Sequence, residues 1–522
     1  MQKIKYALVL FTVVAIAGCK KSNPSTTGDT TGDQPSKTGS TLDLIRDSVY
    51  LYAKETYYWN DALPTYSVFK PRSFTASDDV TALTSELDAL SQYKINPVTS
   101  RPYEYYSAAP GSAKYSFIDD GSVSSQLNGV NGDFGFAPIY IDLNDLRVRY
   151  VYPGSPADLA GIKRGYQITS INGRTNLTYD GDGGSGANVK YVVNAYAESS
   201  NITMILKKPD GSALTVNLNV ANYTVNPVIA TQVFDQSNGH KVGYIAFNTF
   251  TSKANAKPKL DAAFANFAAK GITDLVVDLR YNGGGYVETA EYLSDLIAPA
   301  SKNGSVMFTA FYNSILSSNK STLLKNQVRR DPEDNSLYNY SQIDYSAAAQ
   351  TTHFSKTGVP VSLTLGHVFF IVTGSTASAS ELTINNLRPV MDVQLIGTTS
   401  YGKPVGFFDI DINKYQMYTP NFETKNSAGQ GGYYSGMTPG STDYKGFRAS
   451  DDVTKEFGDP TEGLLAHALN FVKNGTFTVS GQVIQSAGKV KTMSIDESHD
   501  AGIQLDGNKF NGMLYKNPRI KK

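Results

Sequence analysis

A single cysteine, Cys19, serves the whole chain, and that scarcity removes several chemistries at once. Disulfides within the chain, thiol catalysis and cysteine-ligated zinc all drop out. Histidine is sparse too: His240, His353, His367, His467 and His499 show neither metal nor triad spacing. A Ser-His-Asp enzyme therefore lacks a candidate base, and neither a metal nor an organic cofactor is expected. An excess of charge of one sign is also missing, since 47 Lys plus Arg balance 47 Asp plus Glu. No global field draws the chain to nucleic acid or to an acidic membrane surface. The apolar run over residues 6–17 follows Lys3 and Lys5 and is too short for a comfortable membrane span. It reads as a targeting segment that is cleaved.

That run closes on Ile16-Ala17-Gly18-Cys19, which resembles a bacterial lipoprotein signal. The resemblance implies a lipidated Cys19 as first mature residue and a bilayer as partner. The chain would then sit in the cell envelope, facing the periplasm or exposed at the surface. The alternative is an ordinary signal peptide with a chance cysteine. Residues 20–40, rich in Ser, Thr, Gly and Asp, read as a flexible tether.

At 522 residues the chain suggests roughly three domains of about 150 residues. We expect an α/β multidomain protein: a helical domain at 41–108, a β-rich domain at 109–228, a catalytic domain at 229–473 and an extension at 474–522. Leu42, Leu44, Ile45, Val49, Tyr50, Tyr52 and Ala53 match a helix with one buried stripe. Tyr57, Tyr58 and Trp59 read as core or an interdomain contact rather than a ligand box. Residues 302–357 are polar and weakly patterned, and read as a lid-like insertion or a plain surface loop.

Within the β-rich region, Gly154-Ser155-Pro156-Ala157-Asp158-Leu159-Ala160-Gly161 and the segment through Gly173 resemble the PDZ domain. Phe134, Gly135 and Phe136 stand where such domains receive a peptide carboxyl terminus, by loop amides and strand pairing. A generic hairpin loop is the alternative.

Two strand, small-residue turn and helix units follow. One runs from Asp274 to Arg280 and into Tyr281-Asn282-Gly283-Gly284-Gly285; the other runs from Val368 to Val372 and into Gly374-Ser375-Thr376-Ala377-Ser378-Ala379-Ser380-Glu381. Val393–Gly397 reads as the next strand, followed by Tyr401-Gly402-Lys403. If the last two strands are parallel neighbours, about 4.8 Å apart, Ser378 and Lys403 both emerge at the carboxyl edge of the sheet. Open α/β sheets usually place their sites there. A lysine acts as general base only when neutral, so its reference pKa of about 10.4 must fall towards 7. Burial can supply that shift, and Pro404, Val405, Phe407 and Phe408 bring no carboxylate. Each residue has an ordinary reading as well. Ser378 and Glu381 have capping-box spacing, and Lys403 alone could be a solvated loop lysine. A serine at a helix start also places an oxyanion near free amides; Ala379 is a natural donor, and the glycine turn can bring a second.

In order, these segments resemble the C-terminal processing, or tail-specific, serine peptidase family over residues 115–472. The resemblance implies a crotonase-like spiral of ββα units beside a PDZ-like domain. It also implies a Ser378 nucleophile, a Lys403 base 25 residues later, an oxyanion hole from Gly284 and Ala379, and protein or peptide substrates processed near their C-terminal tails. Many members orient the lysine with a glutamine four residues on, where this chain has Phe407. A catalytically weak or inactive peptide-binding protein on the same scaffold is the second reading; an esterase or amidase on the same serine is the third.

Overall fold

The structure is a computed structural model that describes residues 33–121, 123, 128–181, 186–331, 334–479 and 512–515. The targeting segment, Cys19 and residues 20–32 of the tether lie outside the described residues. Among the described residues no helix is long and apolar enough to cross a membrane.

The region after the β-rich segment is built on a six-stranded sheet in the spatial order Val228–Asp235, Lys241–Phe247, Asp274–Asp278, His367–Val372, Val393–Gly397 and Gly446–Arg448. The first pair is antiparallel and all later pairs are parallel. Burial on both faces explains why the central strands read as unbroken apolar runs instead of alternating ones. One face packs Phe264, Leu293 and Leu382 from the helices Lys253–Lys270, Val287–Ile297 and Ala379–Leu387. The other packs Leu464, Leu465 and Ala468 of Gly463–Asn474 against Val242, Val276 and Phe369. The two strands before Ser378 and Lys403 are parallel neighbours, with Phe370 opposite Leu395.

The amino-terminal helices Thr41–Thr56 and Asp79–Ser91 start at Ser40 and Asp78, whose side chains accept from the Asp43 and Thr81 amides. Ile45, Val49, Tyr50, Tyr52 and Ala53 form the expected buried stripe, while Leu44, expected in it, is exposed; the stripe shares one continuous apolar core with the α/β region. Trp59 stacks on Tyr103 at 4.7 Å, and the Tyr58 amide donates to the Pro420 carbonyl at 2.6 Å. These aromatics are core and interdomain contact.

The β-rich region is a five-stranded antiparallel sheet, Phe136–Asp142, Asp145–Val151, Gln167–Ile171, Asn201–Lys207 and Ala213–Asn219, with its own core. It meets the α/β region through Arg164. That buried guanidinium reaches Asp451 at 2.8 Å and the Tyr281 hydroxyl at 2.8 Å. Next to it Arg280, also buried, pairs with Asp278, Asp451 and Glu462. The link lands on the strand end that opens the glycine turn.

Residues 302–357 depart from the surface excursion expected of them. Val306–Tyr312 lies inside a four-stranded sheet between Thr351–His353 and Phe422–Asn426, with Met307 and Phe308 fully buried. The strand is only seven residues long and polar sequence flanks it, which diluted its signal over the window.

Candidate active site

Ser378 is the residue preceding helix Ala379–Leu387 and adopts φ +57°, ψ −102°, a conformation rarely taken by a residue with a Cβ. It is fully buried. Ser378 and Glu381 are arranged as a capping box, yet Ser378 Oγ makes no hydrogen bond of acceptable geometry. The hydroxyl is thus not consumed by the helix end. Instead the Ser378 amide donates to Glu381 Oε2 at 2.8 Å.

The same oxygen accepts the Lys403 amide, also at 2.8 Å. Glu381 Oε1 accepts the Gly402 amide at 2.7 Å and the Ser400 hydroxyl. One buried carboxylate therefore ties the serine turn to the lysine loop. Burial pushes the Glu381 carboxyl above its ordinary pKa, against the pull of Ser400 and the Lys403, Ser378 and Gly402 amides. Those four donors match the acceptor capacity of an ionised carboxylate.

Lys403 is fully buried, its Nζ 3.8 Å from the centre of the Phe407 ring and 5.3 Å from that of Tyr115. Desolvation holds its pKa well below the ordinary lysine value, and the positive charge of Lys114 acts in the same direction. Glu104 and Glu381 oppose it. The immediate sequence contains no carboxylate, but the fold supplies these two from elsewhere. Lys114 is itself lowered to about 8, chiefly by burial, and donates to the Tyr401 carbonyl at 2.9 Å. The Tyr115 hydroxyl donates to the Gly402 carbonyl at 2.5 Å. Glu104, buried, accepts from the Tyr57 hydroxyl and from the Tyr115 and Ser116 amides. Sequence reasoning missed Glu104, Lys114, Tyr115 and the bridging role of Glu381. No short-range pattern marks residues that meet only in three dimensions.

Asn282 joins the glycine turn to the serine helix. Its carbonyl accepts the Ala377 amide at 3.0 Å and the Ser380 hydroxyl at 2.9 Å, while its side chain donates to the Phe247 carbonyl at 2.8 Å. Gly284, at φ +106°, passes so close to the serine helix that a Cβ there would lie 3.0 Å from the Ala379 nitrogen. Only glycine fits. The Gly284 amide, however, donates to Asn282 Oδ1 at 2.9 Å. Of the two expected oxyanion donors, Ala379 sits at the first helical position, where no intrahelical acceptor exists; Gly284 is adjacent but engaged.

In the β-rich domain Phe134 and Phe136 are buried in the core. The Gly135 amide donates to Asp133 Oδ1 at 2.8 Å, and a Cβ at Gly135 would strike the Ser155 side chain. A peptide carboxylate at this loop would compete with Asp133 for that amide. The open edge of Phe136–Asp142 remains for strand pairing, because it is the outermost strand of its sheet. Among the described residues no histidine joins the Ser378 cluster: His240 and His367 flank Asp274, at 2.8 and 2.7 Å, where the central strands begin.

Parts of the chain resemble known protein families. The sequence model of peptidase family S41 matches residues 241–430, and that of the PDZ domain matches residues 147–182. The carboxy-terminal processing protease CtpB of Bacillus subtilis is 25% identical over 335 residues, covering 61% of this chain and 56% of that protein. A carboxyl-terminal-processing protease of Picosynechococcus is 26% identical over 283 residues, covering 54% and 56%. The chain thus spans little more than half the length of these curated relatives. The crystal structure of a candidate S41 protease from Bacteroides fragilis superposes with a TM-score of 0.54 at 23% identity, over 81% of this chain and 96% of that one.

Two outcomes follow from the Glu381 bridge and the buried amine. Glu381→Gln presents an amide N–H₂ to groups that are themselves donors, so we expect kcat to fall on the order of 10²-fold with a small change in KM. Stability should drop by about 1–3 kcal/mol, read by denaturant titration. The second outcome concerns pH. Because the lowered pKa of Lys403 makes its neutral form available at lower pH, activity should fall as pH drops through that pKa, with a midpoint well below the ~10.4 of a free lysine. A rate profile rising only near that value contradicts the assignment.

Proposed function

We propose, for a chain of the S41 carboxyl-terminal processing peptidase family with a PDZ domain, that it hydrolyses peptide bonds through an acyl-enzyme on Ser378. The observation that carries this reading is the shared carboxylate: Glu381 Oε2 holds the backbone of a buried serine with an uncommitted hydroxyl and of a buried lysine whose pKa desolvation lowers. Lys403 takes the Oγ proton as Oγ attacks the scissile carbonyl carbon, and returns it to the leaving amine when the C–N bond breaks. Water then adds to the acyl group and releases Ser378. The Ala379 amide stabilises the oxyanion, and Gly284 joins it when its N–H leaves Asn282.

Strands followed by helices along the parallel sheet favour a crotonase-like spiral for the catalytic domain. Substrates are proteins or peptides cut near their C-terminal tails, presented along the open Phe136–Asp142 edge of the PDZ domain. Lipidation of Cys19 holds the enzyme at the envelope membrane, supported by the basic, apolar, Ala-Gly-Cys order of residues 3–19.

The decisive measurement compares cleavage of peptides with free and amidated carboxyl termini by wild type and Ser378→Ala. Loss of turnover on the order of 10⁴-fold in the variant is expected, with a preference of the wild type for free termini; equal turnover by both proteins sinks the nucleophile. For the anchor, Cys19→Ser should move the protein from the membrane to the soluble fraction after cell breakage. A variant that stays with the membrane contradicts lipidation at that position.

A further inference from the structure

The carboxyl-terminal extension has no chemical motif, yet four of its residues enter the cleft beside Ser378. Gly512–Leu514 pairs in parallel with Gly284–Tyr286, in the register Gly284 to Gly512 and Tyr286 to Leu514. The Gly512 amide donates to the Gly283 carbonyl at 2.9 Å. On its other side the segment is held by Phe407, whose amide donates to the Met513 carbonyl and whose carbonyl accepts the Tyr515 amide, both at 2.9 Å. An extended chain therefore fills a slot between the glycine turn and the lysine loop.

The walls of that slot are shaped for backbone. A Cβ on Gly284 would stand 2.2 Å from the Gly512 carbonyl oxygen and 3.0 Å from the Ala379 nitrogen, so that carbonyl and the open oxyanion donor crowd the same point. A Cβ on Gly406 would meet Met513 Cγ at 2.8 Å. Met513 is fully buried and Leu514 nearly so, while the Tyr515 ring lies 5.2 Å from that of Phe422. Main-chain pairing on both sides with apolar side-chain pockets is how extended peptides bind by strand addition. Phe407, whose main chain holds this strand, also covers Lys403 Nζ with its ring.

We propose that this slot is the substrate-strand site of the peptidase, that it takes an extended segment with a small residue beside Ser378 followed by two apolar residues, and that the chain's own Gly512–Tyr515 segment occupies it as a competitor in cis. The proposal rests on the assignment of Ser378 for its location, but a binding measurement tests it without turnover. Two buried residues set its strength. Met513 and Leu514 bury apolar side chains that a charged residue cannot replace.

The test uses the full chain carrying Ser378→Ala, with and without Met513→Asp and Leu514→Asp together. The probe is a fluorescein-labelled peptide of residues 508–518, followed by fluorescence anisotropy. Displacing the cis segment should tighten probe binding at least tenfold, and Tyr515→Ala, a milder change, should give an intermediate gain. Equal affinity in all three proteins, or binding by none of them, overturns the proposal. So does a Met513→Asp, Leu514→Asp chain that loses its cooperative melt while Tyr515→Ala gains no affinity, since the strand would then be a permanent part of the fold. A gain in binding together with unchanged turnover by Ser378→Ala in the cleavage experiment would retain the slot and reject the nucleophile.

Discussion

The Glu381 carboxylate is the constraint on which the site depends. Its two oxygens take the amides of Ser378, Gly402 and Lys403 and the Ser400 hydroxyl. Without it, the serine turn and the lysine loop would meet only through side-chain packing, and buried amides left unpaired cost about 1–3 kcal/mol each. The bridge also accounts for the backbone at Ser378. A non-glycine residue at positive φ costs of order 1–3 kcal/mol and persists only where its surroundings over-determine it. The Glu381 bond on its amide and the bond from the Leu382 amide to its carbonyl do so here. The spacing of a capping box and the placement of Ser378 beside the lysine loop are thus one arrangement, with the carboxylate half of the box serving both.

Around that bridge, the amino-terminal region acts as a structural member of the catalytic domain. Glu104 gathers Tyr57, Tyr115 and Ser116, and Lys114 and Tyr115 then grip the carbonyls of Tyr401 and Gly402. These contacts bury the lysine loop from the side away from the sheet. The continuous apolar core running from Ile45 and Val49 to Phe408 and Tyr418 is the energetic reason the two regions act as one body. The amino-terminal segment supplies a wall around the Lys403 amine, whose burial holds its pKa well below the ordinary lysine value.

What the sequence revealed and what it withheld divide along the range of the interactions. The parallel strands, the Ser378 helix start and the glycine turn were legible because each is a local pattern of apolar run, small residue and helix. Val306–Tyr312 was missed because its seven residues are diluted by polar turns on either side. Glu104 and Lys114 were invisible because they lie almost 300 residues from Lys403 and have no spacing relation to it. The engagement of the Gly284 amide by Asn282 Oδ1 is a side-chain rotamer choice, which the Asn-Gly-Gly-Gly order permits but does not dictate.

Phe407, four residues after Lys403, sets the physics of the Lys403 amine. An amide acceptor would hold the amine in place by a directed hydrogen bond. An aromatic face 3.8 Å away acts differently, because its quadrupole attracts the ammonium by roughly 0.5–2 kcal/mol. Taken alone, that would raise the lysine pKa. The ring nevertheless displaces water from Nζ, and desolvation of a fully buried lysine can lower its pKa by up to about 3–5 units, or roughly 4–7 kcal/mol at 1.36 per unit. Desolvation is the larger effect, in keeping with the lowered pKa of Lys403. Orientation then falls to the backbone: the Lys403 amide is fixed on Glu381, and the Phe407 amide and carbonyl are fixed by the strand lying in the cleft. An amine aimed through its main chain is sensitive to what fills that strand position, so filling the slot and positioning Lys403 are coupled through a single residue.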